Sequence, residues 1–87
     1  MNTYFVTFQP LYDLAAARIR IDKDHFDKQA FRYMISNLID LIDCTGKKSF
    51  TMYIQKNGKL CHTLKAHLFM GTLDVYMNNK LVKSYKM

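Results

Sequence analysis

The spacing of apolar residues changes twice along this chain, and this change constrains the fold more than any other feature. Between about residues 24 and 45 the apolar residues recur every three or four positions, as on one face of a helix. On either side of that stretch they alternate with polar residues, as in strands that bury one face. Because each pattern leaves one apolar face to be covered, the sequence predicts a two-layer α+β arrangement, with one amphipathic helix packed on one face of an antiparallel sheet.

The predicted helix covers residues 24–45. Asp24 is the expected N-cap, and Asp27 would lie in the first turn, where a carboxylate favours the positive helix terminus. Gly46 suits the left-handed position after the helix, and the two lysines that follow it complement the negative end. The apolar stripe consists of Phe31, Met34, Ile35, Leu38, Leu41 and Ile42.

Two strands are predicted before the helix. Residues 4–8 are rich in aromatic and β-branched side chains, which favour a strand. Residues 9–14 contain Pro10 and form the expected connection. The stretch from Ala15 to Asp22 then alternates between apolar and charged side chains, which indicates a half-buried strand. We expect the two strands to pair as an antiparallel hairpin.

After the helix, a hairpin is predicted around Gly58. A three-residue loop with Gly58 in the left-handed conformation would place the apolar side chains of both strands on one face. This register pairs Ile54 with Leu60, and it continues outward from that pair. The further predicted pairs are Met52 with His62 and Phe50 with Leu64.

Two more turns are predicted at Met70-Gly71 and at Asn78-Asn79, residue types that tolerate positive φ. The last turn would join strands 73–77 and 81–85 and place Asp74 opposite Lys83. The element order is therefore ββαββββ, in a single compact domain spanning residues 1–87.

Charge is distributed unevenly along the chain. Residues 1–46 contain five Lys or Arg against six Asp, whereas residues 47–87 contain eight Lys against a single acid, Asp74. A one-sided basic surface is typical of proteins that contact an anionic partner, either a nucleic acid or an acidic protein face. Lysines on the last strand would also protect a sheet edge from aggregation, and a homodimer through that edge remains open.

One face of the predicted sheet combines aromatic and basic side chains. If the helix covers the face with Val6, Ile19, Ile21, Met52, Ile54, Leu60 and Leu64, the other face presents Phe5, Arg18, Arg20, Tyr53, Thr63 and Lys65. Aromatics interleaved with cations on an open sheet bind single-stranded nucleic acid by stacking and phosphate neutralisation. The predicted binding residues are Arg18, Arg20, Lys47, Lys48, Tyr53, Lys56, Lys59 and Lys65.

Catalytic and metal-binding motifs are missing from the sequence. The chain has no Glu, no nucleophile motif, no phosphate-binding loop and no His or Cys pair at metal-ligand spacing. We therefore expect a non-catalytic protein without a metal or cofactor. A small metal-independent ribonuclease-type toxin is the alternative, and its parts would be His62, His67, Lys65 and Tyr53. The two histidines, however, should point to opposite faces of a regular strand.

The sequence also bears on location. Its longest apolar run is too short to span a bilayer, and Met1-Asn2-Thr3-Tyr4 lacks the basic and apolar regions of a signal peptide. In a chain with no export signal, Cys44 and Cys61 are expected to be free thiols. We expect a cytoplasmic protein without a membrane partner.

The opening Met1-Asn2-Thr3-Tyr4 is similar to that of some small phage-encoded anti-CRISPR inhibitors. A compact α+β architecture recurs among those proteins. The resemblance implies stoichiometric inhibition of a host nucleoprotein complex by surface binding. Because this chain is basic, it would cover an acidic protein surface or clamp bound nucleic acid rather than imitate nucleic acid. The leading hypothesis is thus a non-catalytic binding module for an acidic partner, and the alternative is direct nucleic-acid binding.

Overall fold

One helix and six strands make up the fold in the computed structural model, which describes residues 1–13 and 16–87. The strands form one antiparallel sheet in the order β2-β1-β3-β4-β5-β6. The predicted α+β class and the order ββαββββ are confirmed. The elements are β1 (Asn2–Pro10), β2 (Ala17–Lys23), α1 (Lys28–Thr45), β3 (Ser49–Lys56), β4 (Lys59–Phe69), β5 (Thr72–Met77) and β6 (Lys80–Lys86).

The helix connects two strands that lie on opposite sides of β1. Since β2 and β3 are each antiparallel to β1, they run parallel to each other, and the chain must return along the length of the sheet between them. Helix α1 makes this return across one face. That face is called the helix side here, and the other, which no element covers among the described residues, is called the open face.

The first hairpin is confirmed with different bounds. Strand β1 extends to Pro10, two residues beyond the predicted end, because Pro10 still pairs with Phe50. Proline has no backbone N–H, and at the end of the strand this missing donor is tolerated. Strand β2 begins at Ala17 and ends at Lys23. Ala15, where the second strand was predicted to begin, lies outside the described residues, as does Leu14 at the end of the predicted connection.

The helix begins later than predicted, and the expected N-cap was wrong. Asp27 is the N-cap: its backbone is extended, and its carboxylate accepts a hydrogen bond from Ala30 N at 2.9 Å. Asp24 instead contacts the start of β1, where its carboxylate lies 3.4 Å from the amino terminus and its carbonyl accepts a bond from Asn2. The predicted end is confirmed, because Gly46 has φ 70° and its N–H donates to Ile42 O.

The hairpin between β3 and β4 differs from its prediction. Its loop has two residues, Asn57 and Gly58, both with positive φ, and Lys56 lies directly opposite Lys59. Cys61 is then an extra residue, a bulge that shifts the register by one. The predicted pairs were wrong by two positions. The observed pairs are Ile54 with His62, Met52 with Leu64 and Phe50 with Ala66.

This bulge also corrects the predicted position of Leu60. Leu60 pairs with Gln55, before the bulge, and its side chain is 59% exposed instead of lying in the core. Beyond the bulge the apolar faces of β3 and β4 coincide, so the favourable turn and the buried face are both kept. A regular ladder could satisfy only one of these two requirements.

The hairpin between β5 and β6 follows the same design. Asn78 and Asn79 form the predicted turn, with φ of 54° and 63°, and Val82 is a bulge residue. The predicted pairing of Asp74 with Lys83 was wrong, because the bulge moves Ser84 opposite Asp74. The Ser84 hydroxyl donates a hydrogen bond to the Asp74 carboxylate at 2.6 Å.

The core lies between α1 and the helix side of the sheet. Met34 and Leu38 from the helix pack against a layer that includes Val6, Phe8 and Met52, all fully buried. Burial of each such side chain stabilises the fold by about 1.5–3 kcal/mol relative to its exposure. Among the described residues, every buried side chain of the core is apolar or aromatic.

Candidate binding surface on the open sheet face

The open face carries the aromatic and basic side chains that the sequence predicted for it. Residues on this face alternate with the buried residues of each strand, because successive side chains of a strand point to opposite sides. Strand pairing therefore places on one surface all six side chains of the predicted face. These are Phe5, Arg18, Arg20, Tyr53, Thr63 and Lys65.

Cross-strand register arranges four of these side chains along a diagonal. Thr7 of β1 lies opposite both Arg18 and Tyr53, so Phe5 and Tyr53 are diagonal neighbours. Tyr53 is in turn a diagonal neighbour of Lys65. Such neighbours lie about 7–8 Å apart, which is within reach of aromatic and long side chains. Two neighbouring rings, Phe5 and Tyr53, thus lie between the cations Arg18 and Lys65 across four strands.

The sequence prediction missed Tyr76 as a member of this surface. Tyr76 lies directly opposite Lys65 across the β4–β5 pair, and it adds a third ring to the diagonal of Phe5 and Tyr53. Its place depends on the register between β4 and β5. That register is set by the two-residue turn at Met70-Gly71, where Phe69 pairs with Thr72. A two-residue turn assigned to Met70-Gly71 would have predicted the pairing of Tyr76 with Lys65.

Two arginines of the surface have fixed partners. The Arg18 guanidinium carbon lies 4.0 Å from the centre of the Phe5 ring, a cation–π contact that orients the side chain along the sheet. Arg20 Nε lies 3.2 Å from a carboxylate oxygen of Asp22, so part of its charge is already neutralised. Of the predicted cations on this face, Arg18 and Lys65 therefore have the charge most available to a partner.

The remaining predicted residues lie at the two ends of the sheet. Lys47 and Lys48 precede β3 at one end, where Lys47 Nζ lies 3.7 Å from the Asp13 carboxylate. Lys56 and Lys59 face each other at the opposite end, on either side of the Asn57-Gly58 turn. The eight predicted binding residues therefore do not form one surface. The structure brings together Arg18, Arg20, Tyr53 and Lys65.

Histidine geometry bears on the ribonuclease alternative. His62 lies opposite Ile54 and lines the helix side, whereas His67 lies on the open face with Lys65. His67 Nδ1 and Ser49 Oγ are hydrogen-bonded at the end of that face. The two histidines point to opposite sides, as predicted, so the four residues of the hypothetical ribonuclease site are not assembled.

Two structural features of residues 1–13 and 16–87 bear on metal binding and membrane crossing. No three His, Cys, Asp or Glu side chains in these ranges are grouped so that they could hold a metal ion. Within the same residues, α1 is not long and apolar enough to cross a membrane. Cys44 and Cys61 are both free and exposed, as predicted.

Neither a protein-family model nor a curated protein nor a solved structure matches this chain.

Proposed function

We propose that this chain is a non-catalytic binding module whose open sheet face contacts an acidic partner, either an acidic protein surface or a nucleoprotein complex. The observation that carries the proposal is the diagonal of the open face, on which the cations Arg18 and Lys65 are interspersed with the rings of Phe5, Tyr53 and Tyr76. Partner surfaces are enriched in Tyr and Arg because these side chains bring large contact area and a polar tip.

The charge and rigidity of this surface support an anionic partner. The whole chain has a formal net charge of +6, and such an excess accelerates association with acidic surfaces. Arg18 is held over Phe5, so less conformational entropy is lost when it pairs with a carboxylate or phosphate. Sheet residues are also more precisely placed than loop residues.

The biological role that we propose is inhibition of a host nucleoprotein complex by a phage or mobile-element protein in the cytoplasm. The similarity of the opening residues to small anti-CRISPR inhibitors supports this role. Two exposed free thiols fit a reducing compartment. A basic inhibitor would act by covering an acidic protein surface or by clamping nucleic acid already bound there.

Direct binding of single-stranded nucleic acid is the second candidate, and the mixture of rings and cations on one face favours it. Bases stack on aromatic side chains with about 1–3 kcal/mol each, while cations neutralise the phosphates between them. Phe5, Tyr53 and Tyr76 would supply the stacking surfaces and Arg18 and Lys65 the charges. Threonines at positions 7, 51 and 63 surround the diagonal with hydroxyl groups.

Substitution of the diagonal tests the proposed surface. We expect the triple variant Arg18→Gln, Tyr53→Ala, Lys65→Gln to lose capture of the partner in pull-downs from the native host. A control variant, Lys48→Gln, Lys80→Gln, removes the same charge away from the open face and should retain capture. Equal losses in the two variants would show that net charge, rather than the open face, is responsible.

A salt titration separates the two candidate partners. If the chain binds nucleic acid directly, a fluorescent single-stranded oligonucleotide should bind at low salt, with a logarithmic salt slope of about −0.7 for each phosphate contacted. Tyr53→Ala should weaken that binding by about 1–3 kcal/mol. The absence of oligonucleotide binding at low salt would reject the second candidate and leave the acidic protein surface as the target.

A further inference from the structure

The sheet is wider than the single helix that covers it. Five strand spacings of about 4.8 Å separate the outermost strands by roughly 24 Å, whereas a helix with its side chains is about 10–12 Å across. All seven residues of the edge strand β6 are exposed or half-buried. Between the first turns of α1 and the outer strands, the helix side therefore has a groove of about 560 Å³.

The groove has apolar walls contributed by both layers. Two rings come from α1 and the segment before it, and the other apolar side chains come from strands β3 to β6. The Tyr85 ring stands at the β6 wall, opposite Leu73. The principal apolar lining residues are Phe26, Phe31, Leu64, Met77, Val82 and Tyr85.

The bulge in β6 determines what the groove contains. In a regular strand Val82 and Lys83 would point to opposite sides of the sheet. Because Val82 is the extra residue between Leu81, opposite Tyr76, and Lys83, opposite Val75, both Val82 and Lys83 line the groove. The bulge thus places an apolar and a cationic group in the same site, where a regular strand would present only one of them.

The polar part of the lining is basic. Lys28 and Arg32 lie one helical turn apart on α1, and Lys83 faces them from β6. His62 adds a titratable group from β4, and the lining contains no carboxylate among the described residues. Burial raises the pKa of the Tyr85 phenol, against the opposing effect of the Arg32 charge, so Tyr85 remains a neutral hydrogen-bond donor at neutral pH.

Shape and charge favour a compact ligand over a second copy of the chain. Leu73 and Val75 are fully buried, so the groove closes along β5 beyond Met77, and its volume is in the range of small-molecule sites. Antiparallel pairing of two β6 edges would bring together the lysines at positions 80, 83 and 86 of both copies, and like charges oppose such pairing.

From the apolar walls and the basic rim, we propose that this groove binds a small amphipathic anion. The apolar body of the ligand packs against Phe31, Met77 and Val82. Its carboxylate or equivalent anionic head faces Lys28, Arg32 and Lys83. The site lies on the face of the sheet opposite the open face, so it is independent of the function proposed above.

Decanoate, used below its micelle-forming concentration, is the probe for this site. Addition of decanoate should shift backbone amide resonances of Phe31, Met77 and Val82 in ¹H–¹⁵N spectra of the full chain. Arg32→Gln and Lys83→Gln should each weaken binding roughly two- to fivefold, as expected for a partly exposed ion pair. Neither variant should change binding of the uncharged decanol.

Lys86→Gln is the matched control, because it removes the same charge from the same strand but on the open face. It should leave decanoate affinity unchanged, and so should Arg18→Gln. Equal weakening by Lys86→Gln and Lys83→Gln, or shifts confined to residues outside the groove, would overturn the proposal. Light scattering that shows a dimer, with the groove resonances shifted by protein concentration instead of decanoate, would identify a second copy as the occupant and overturn it as well.

Discussion

Strands β1 and β6 have similar apolar content but very different surroundings. In β1, alternate residues from Tyr4 to Pro10 are buried on the helix side, whereas Val82 of β6, which lines the groove on that same side, is exposed. The difference arises because β1 has a strand on either side and lies beneath α1, while β6 has one neighbour and lies beyond the width of the helix. On the helix side of the sheet, an apolar residue is therefore buried or available to a ligand according to its distance from the helix axis.

The largest expected effect is the difference in stability loss when Val is replaced by Ala in β1 and, separately, in β6. Val6→Ala should lower the free energy of unfolding by about 2–3 kcal/mol, because it removes two buried methyl groups and leaves a cavity. Val82→Ala, at a side chain that is 44% exposed, should change it by less than about 0.5 kcal/mol. Denaturant unfolding of both variants measures the contrast, and equal losses would show that β6 is covered in solution.

A smaller effect is expected at the start of the helix that covers β1. Asp27→Ala should lower the unfolding midpoint by less than Val6→Ala, because the N–H of Ala30 loses its acceptor. Asp24→Ala is the control at the position that the sequence favoured, and it should have less effect than Asp27→Ala. A larger loss for Asp24→Ala would mean that Asp24 is the residue that caps α1.

The contribution of Asp27 should depend on pH in a defined direction. The hydrogen bond from Ala30, followed by that from Lys23, lowers the pKa of Asp27 below its ordinary value of 3.8. A lowered folded-state pKa stabilises the protein above the ordinary value, and this contribution is lost as the pH falls through the lowered one. The difference in unfolding midpoint between the unchanged chain and Asp27→Ala should therefore be constant near neutrality and narrow in acid.

The smallest expected effect is a change in stability when the lysine after the turn is replaced by Glu in each of the two bulged hairpins. Lys59 lies directly opposite Lys56, whereas Lys80, at the same place after its own turn, lies opposite Met77. Lys59→Glu should raise the free energy of unfolding by about 0.5 kcal/mol, because it replaces a repulsive cross-strand pair with an attractive one. Lys80→Glu changes the net charge equally and should not reproduce the gain at moderate salt. Equal gains would attribute the effect to net charge.

Much of the candidate surface could be predicted because strand alternation is a local property. The period of two places Arg18 and Arg20 on the face opposite Ile19 and Ile21 whatever the neighbouring strand is. The grouping of cations into one surface, by contrast, could not be predicted from this alternation. Lys47 and Lys59 were grouped with Arg18 in the prediction, but they lie at opposite ends of the sheet. Lys47 and Lys59 are separated from each other by the length of β3, which lies between them. Their positions relative to Arg18 in β2 depend on strand order, which no local pattern records.

The sequence by itself determined the elements that depend on near neighbours: the helix stripe, its end at Gly46, the turn at Asn78-Asn79 and the sides of β1 and β2. Tertiary structure alone decided the rest. The bulges at Cys61 and Val82 allow each hairpin to keep its favoured two-residue turn and still align the apolar faces of its two strands. The need for a bulge arises only when the turn has formed and the two strands are paired. At the helix start, Asp24 contacts the distant residues Met1 and Asn2, and the N-cap is Asp27. The groove beside α1 exists because six paired strands are wider than the one helix that covers them, and this width is reached only when the whole sheet has formed.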